Sequence, residues 1–126
     1  MEEKDCVFCK IARGEIPSEK TYDDDNFFGV LDINPKAEGH TLIISKKHYK
    51  TLLDMPVSLG SELLDAVKHV GLKLIKDGGK AGSLSSDNEV SGFNLIINNG
   101  EVAGQVVHHL HVHIIPRKNG DGMEIA

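Results

Sequence analysis

Between residues 109 and 115 the chain alternates imidazole and aliphatic side chains: His109-Leu110-His111-Val112-His113-Ile114-Ile115. An extended strand gives such alternation a physical meaning, because successive side chains point to opposite faces. The pattern predicts that Val107, His109, His111, His113 and Ile115 line one face and His108, Leu110, Val112 and Ile114 the other. The aliphatic face can pack on a helix while the other presents three imidazoles in a row. One histidine on a strand is most simply a packed or solvated residue. Three in register point to chemistry, as metal ligands or as acid, base or nucleophile.

A chain of 126 residues fits a single domain spanning 1–126. A globule of this size buries roughly two-thirds of its unfolded surface, enough for one sheet-and-helix core. The formal net charge is -5, with both signs mixed along the sequence. That balance lacks the basic footprint of a protein that tracks DNA or RNA, so polymeric nucleic acid is not an expected partner. A small anion remains compatible, because oriented amides and imidazoles bind phosphate locally. No run approaches the roughly 20 apolar residues of a membrane span, and the acidic start Met1-Glu2-Glu3-Lys4-Asp5 is unlike a signal peptide. A cytoplasmic protein with no membrane partner is expected.

Turn and periodicity signals organise the rest. Cys6 to Arg13 reads as a short helical turn ended by Gly14 and Pro17, followed by a hairpin of Lys20–Tyr22 and Phe27–Leu31 around a solvated acidic turn. Asp32 to Gly39 is a loop, and His40 to Ser45 a strand. Asp54 is placed to cap a helix with Pro56 in its first turn, along which Leu59, Leu63, Val67, Val70 and Leu74 recur at helical spacing. A polar loop from Gly78 to Asn88 follows. Phe93 to Ile97 is the next strand, Asn98-Asn99-Gly100 a tight turn, and the histidine strand is expected to stop at Pro116. Strands, helix, then strands argue for an α+β fold with an antiparallel sheet.

Cys6-Val7-Phe8-Cys9 is the only cysteine pair, too small and close for a disulfide framework and open to metal or redox use. Zinc takes four soft or borderline ligands, and His48 and His109 can complete a Cys2His2 set. In the triad, a neutral imidazole nitrogen can attack phosphorus without a metal. His111, central in the row, is best placed for that. His113, keeping a ring proton, can donate to a phosphate oxygen. His108, His69 and Arg117 read as ordinary surface residues.

Gly104-Gln105 with the His109–Ile115 segment resembles the signature of the histidine-triad (HIT) nucleotide-binding hydrolases and transferases. Asp32-Ile33-Asn34-Pro35, Gly39-His40-Thr41-Leu42, Lys46-Lys47-His48 and Asn98-Asn99-Gly100 resemble further family segments in the family's order, so the resemblance covers nearly the whole chain. It implies a five-stranded antiparallel sheet with one main helix and a short N-terminal helix, and a homodimer whose sheets join.

The resemblance also implies a purine nucleoside 5'-phosphoramidate substrate and a catalytic group of His111, His113, His109 and His40. His111 would be nucleotidylated on Nε2 while a main-chain carbonyl near His109 accepts its Nδ1–H. Asp32 would hold the ribose hydroxyls, Ile33, Phe8 and Leu31 would surround the base, and Asn98 and Gln105 would meet the α-phosphate. Cys6, Cys9, His48 and His109 resemble the structural zinc site of bacterial members, with no metal needed for the chemical step. Val106 stands where phosphoramidase members commonly carry serine, and lacks its hydrogen bond. Dinucleoside polyphosphate hydrolysis, a weakly active nucleotide-sensing module and a catalytic metal held by the three histidines are the alternatives.

Overall fold

A computed structural model of the chain describes residues 5–75 and 89–125, so the whole polar loop expected from Gly78 to Asn88 lies outside the described residues. Strands β1 (Lys20–Asp23), β2 (Phe27–Leu31), β3 (Thr41–Ser45), β4 (Val90–Ile96) and β5 (His111–Lys118) form one antiparallel sheet in the order β1-β2-β3-β5-β4. Helix α1 (Val7–Ala12) precedes the sheet, and α2 (Gly60–Leu74) is inserted between β3 and β4. The α+β class and the five-stranded sheet expected from the sequence are those observed.

Local chemistry explains most boundaries. Asp24 closes the β1–β2 turn: its Oδ1 accepts the N–H groups of Asn26 and Phe27 at 2.8 and 2.7 Å, and its Oδ2 accepts the Tyr22 hydroxyl at 2.6 Å. One residue of the acidic run is thus a turn anchor rather than a merely solvated charge. Asp54 does not cap α2. It closes a capping box with Thr51 around the short turn Leu52–Asp54, because Pro56 holds Met55 extended at φ -79°, ψ 133° and breaks the path to the main helix. Nor does Pro116 stop β5, which runs on to Lys118. Pairing of β3 with β5 ends at Thr41 and Ile114, so Pro116 sits where the strand has lost a neighbour and a missing N–H is tolerated.

The sheet is covered on both faces, which is why β2 and β3 read as continuous apolar runs. On one face Phe27, Ile43, Val112 and Ile114 pack with Ala66, Val67 and Val70 of α2. Gly71 lets the helix approach so closely that a Cβ there would lie 3.0 Å from the Phe93 ring. On the other face Phe28, Val30, Leu42 and Ile44 pack under Phe8 of α1. Cross-strand partners share a face, and Ile44 pairs with His111 and Leu42 with His113, so both imidazoles stand on the α1 side. At six residues α1 is too short to persist alone; burial of Phe8 and Cys9 holds it there.

Candidate active site

The three histidines do not stand in one row. The His109 N–H donates to the Val107 carbonyl at 2.9 Å, closing a turn that leaves His109 outside β5, which starts at His111. The fully buried His109 ring shares the Phe8 side chain with His111 but commits its nitrogens elsewhere. Its Nε2 lies 2.6 Å from the Ser45 carbonyl, which can only accept, so Nε2 carries the proton and Nδ1 a lone pair. Around that lone pair stand Cys6 Sγ at 3.2 Å, Cys9 Sγ at 3.5 Å and His48 Nδ1 at 3.1 Å, with Cys9 Sγ also 3.2 Å from His48 Nδ1.

These four donor atoms fall within 4.8 Å of one another. A tetrahedral ion with Zn–S near 2.3 Å and Zn–N near 2.0–2.1 Å separates its ligands by roughly 3.3–3.8 Å, so the set is close to that spacing. Cys6 is half-buried and Cys9 buried, at the N-cap and inside α1, which brings both sulfurs to one side of the short helix. The sequence-predicted metal ligands therefore come together, and the donor chemistry fits zinc. Because His109 leaves the row, the three triad histidines do not share one ion site.

His111 has the opposite polarity. Its Nδ1–H donates to the main-chain carbonyl of His109 at 2.7 Å, leaving the Nε2 lone pair uncommitted by that bond. Phe8 meets the His111 ring edge-on at 5.1 Å and the His109 ring at 5.7 Å, so it backs both imidazoles from within the core. Residue 109 thus joins the two sites: its side chain faces the cysteines and its carbonyl holds the His111 proton.

A third arrangement surrounds His113. The Lys36 N–H donates to His40 Nδ1 at 3.1 Å, and His40 Nε2 lies 3.1 Å from His113 Nδ1. Asp32 Oδ2 is 3.4 Å from His40 Nε2 and 3.9 Å from His113 Nδ1, while Asp32 Oδ1 accepts the Asn34 N–H at 2.9 Å. Burial pushes the His113 pKa down to about 4, aided by neighbouring His111 and His40 and opposed by Asp32. Burial likewise lowers His40 against the pull of Asp32, and takes His109 down to about 4. These three rings are neutral near pH 7.

The remaining expected site residues divide by burial. Leu31 and Ile33 are exposed beside half-buried Asp32, Ile33 at 91%, as an apolar contact surface needs. Gln105 is buried, its amide donating to the Lys50 and Val107 carbonyls at 2.6 and 3.2 Å and accepting the Gly100 N–H at 2.8 Å, so it braces the loop before β5. Asn98 is half-buried beside Gly104. Val106 is exposed and lines an open groove with Asp5, Cys6, Val7, Val107 and His108. Arg117 is not a lone surface arginine: it is clamped by Asp121 at 2.8 Å from both Nε and Nη2, and donates to Asn94 at 2.7 Å.

Sequence reasoning missed the Lys36 amide and the Ser45 carbonyl, which set the tautomers of His40 and His109. Main-chain groups leave no side-chain signature; the nearest hint is Gly39, whose φ of +90° turns the loop back onto His40.

A family profile described as the HIT domain matches residues 13–120. The chain belongs to the histidine-triad (HIT) family. Among sequence relatives, this HIT protein is 46% identical over 119 residues to a protein of Arabidopsis thaliana named adenylylsulfatase HINT3, covering 94% of this chain and 55% of the relative's length. It is 42% identical over 116 residues to a Candida albicans protein named adenosine 5'-monophosphoramidase HNT1, covering 90% of this chain and 71% of the relative. Among solved structures, a zinc-bound histidine triad family protein from Mycobacterium smegmatis is 37% identical with a TM-score of 0.76, covering 96% of this chain and 81% of the other. Among the described residues of this HIT chain, no helix is long and apolar enough to cross a membrane.

Proposed function

We propose that this chain is a nucleotidyl hydrolase or transferase of the histidine-triad type, cleaving purine nucleoside 5'-phosphoramidates at the α-phosphate through a nucleotidyl-His111 intermediate. The observation that carries the reading is the 2.7 Å bond from His111 Nδ1–H to the His109 carbonyl, which directs the ring's lone pair to Nε2. The relatives named for adenylylsulfatase and adenosine 5'-monophosphoramidase activity support an adenylyl-type substrate.

In the first step the Nε2 lone pair of His111 bonds to the α-phosphorus as the bond to the leaving nitrogen breaks, and the departing amine takes its proton from solvent. Water then attacks the same phosphorus and gives up a proton to solvent. The Nε2–phosphorus bond breaks, releasing the nucleoside monophosphate and regenerating His111. His113 donates from Nε2 to a non-bridging phosphate oxygen. Asp32, half-buried with lone pairs to spare, accepts the ribose hydroxyls, and exposed Leu31 and Ile33 offer an apolar wall for the base. Asn98 completes the phosphate end, Gln105 shapes it by bracing the loop through Lys50, Val107 and Gly100, and buried Phe8 sets the nucleophile's ring from behind.

Zinc in the Cys6, Cys9, His48 and His109 set would be structural, supplying a rigid anchor for the turn before β5. A reducing compartment keeps both cysteines as thiols, which lose their protons on binding the ion. A homodimer is supported by the open edge of β4, where Leu95 is exposed.

Mass spectrometry of protein quenched during turnover of adenosine 5'-phosphoramidate is expected to find one adenylyl group, on His111. His111→Ala should lose that adduct and lower kcat by ~10^3-fold or more. Near-normal turnover in the variant would overturn the reading.

A further inference from the structure

We infer that Asp32, His40 and His113 form a hydrogen-bond chain through which the nucleotide's sugar tightens the hold on the His113 ring that donates from Nε2, so that ribose recognition acts on the chemical step as well as on binding. This rests on the proposed nucleotidyl chemistry and deepens it. The direction of the chain follows from its first link. The Lys36 N–H occupies His40 Nδ1 at 3.1 Å, and a neutral imidazole with an acceptor at Nδ1 holds its proton on Nε2. Were His113 the donor, His40 would need a bare Nε2 and a protonated Nδ1, placing two N–H groups head to head. His40 Nε2–H therefore donates to His113 Nδ1 at 3.1 Å, and the His113 proton must reside on its own Nε2.

Asp32 is the competing acceptor. Its Oδ2 lies 3.4 Å from the same His40 Nε2 and 3.9 Å from His113 Nδ1. With the sugar absent, the carboxylate competes for the His40 Nε2–H and loosens its bond to His113 Nδ1, so the ring that carries the donating Nε2 proton is held less firmly. A vicinal diol donating to the carboxylate fills its lone pairs and leaves the His40 proton to His113. His40, only 1% exposed and held by main chain, acts through His113 and is a positioning residue.

The same link argues against a metal in this trio, although its donor atoms also lie within 4.8 Å of one another. A metal on His40 Nε2 would force the proton onto Nδ1, against the Lys36 N–H.

The test uses the full chain in its zinc-loaded form, with 15N-labelled histidine, and two probes, AMP and 2',3'-dideoxy-AMP. Two-bond 1H–15N correlations should place the His113 proton on Nε2, and AMP should sharpen and shift the His40 Nε2–H and His113 Nδ1 signals where the dideoxy analogue, bound at saturation, does not. Removing both sugar hydroxyls from adenosine 5'-phosphoramidate should lower kcat by ~10-fold or more, within the range of a lost proton donor. His40→Leu should shift the His113 proton to Nδ1 and lower kcat, and His40→Gln, which keeps a donor toward His113, should restore both in part. Any of three results overturns the inference: a His113 tautomer unchanged in His40→Leu, His40 and His113 signals that respond alike to AMP and to the dideoxy analogue, or a sugar effect confined to KM. Because the tautomer readout needs no turnover, it stands apart from the adenylyl-adduct experiment on His111.

Discussion

The molecule holds two clusters that look alike by ligand type: Cys6, Cys9, His48 and His109 in one, Asp32, His40 and His113 in the other. Each brings acidic side chains, thiols in one and a carboxyl in the other, and imidazoles within reach of a single ion. They differ in what stands behind a ring. Behind His109 is the Ser45 carbonyl at 2.6 Å, which claims a proton and turns a lone pair toward the sulfurs. Behind His40 is the Lys36 N–H at 3.1 Å, which claims a lone pair and turns a proton toward His113. One main-chain atom thus makes the first cluster a receptacle for a cation and the second an arranger of protons. Ligand counts alone do not separate them, whereas the outer hydrogen bond does.

The sharpest way to break this contrast is metal removal. Zinc is expected at one ion per chain, and chelation should lower unfolding stability by several kcal/mol. That is less than the roughly 10–16 kcal/mol of zinc-finger peptides, because the two apolar layers of the sheet persist without the ion. Urea titrations with and without chelator measure it, and Cys9→Ser should reproduce the loss. Two ions per chain, or stability untouched by chelation, would collapse the distinction.

Proton linkage probes the other cluster. The His113 pKa is about 4 in the fold, below the 6.5 of the unfolded chain. Between those values the unfolded state binds more protons, so this group's contribution is complete above pH 6.5 and is lost as pH falls towards 4, by at most about 3 kcal/mol. His40, His111, Asp32 and Lys36 set the balance, with Asp32 alone resisting the shift. Since the zinc ligands also titrate, the informative quantity is the difference from His113→Asn: from pH 7 to pH 5 the wild type should lose about 2 kcal/mol more. A ring held as a cation by Asp32 would give the opposite sign.

Much of this was legible in the sequence, and the illegible parts share a cause. Strand alternation and turn residues located all five strands, because side-chain period and Gly or Pro punctuation act locally. Cys6, Cys9, His48 and His109 could be grouped from ligand chemistry together with the resemblance to bacterial family members. What failed depended on the path of the main chain: His109 leaves the row through a turn closed on Val107, β5 passes Pro116 because its β3 partner has ended, and Asp54 closes its own turn. The division of the histidines between two sites rests on the Lys36 amide and the Ser45 carbonyl, an N–H that every residue type but proline carries and a C=O that all carry alike.

The smallest expected effect gives the finest separation of the two clusters. Gly39 precedes His40 at φ +90°, and its carbonyl accepts the Thr41 hydroxyl at 2.8 Å. A Cβ there would lie 3.1 Å from Leu74 Cδ2 and 3.4 Å from Pro116 Cγ, so Gly39→Ala combines backbone strain with a modest push on His40. A destabilisation of about 1–2 kcal/mol is expected from the left-handed backbone. Turnover should fall a few-fold as the His40 to His113 bond lengthens, while zinc stays at one ion per chain, because no ligand of that set touches the turn. Calorimetry, steady-state rates and metal analysis on one preparation would check all three. Loss of zinc together with turnover would mean that the sheet couples the clusters too tightly to treat them as separate devices.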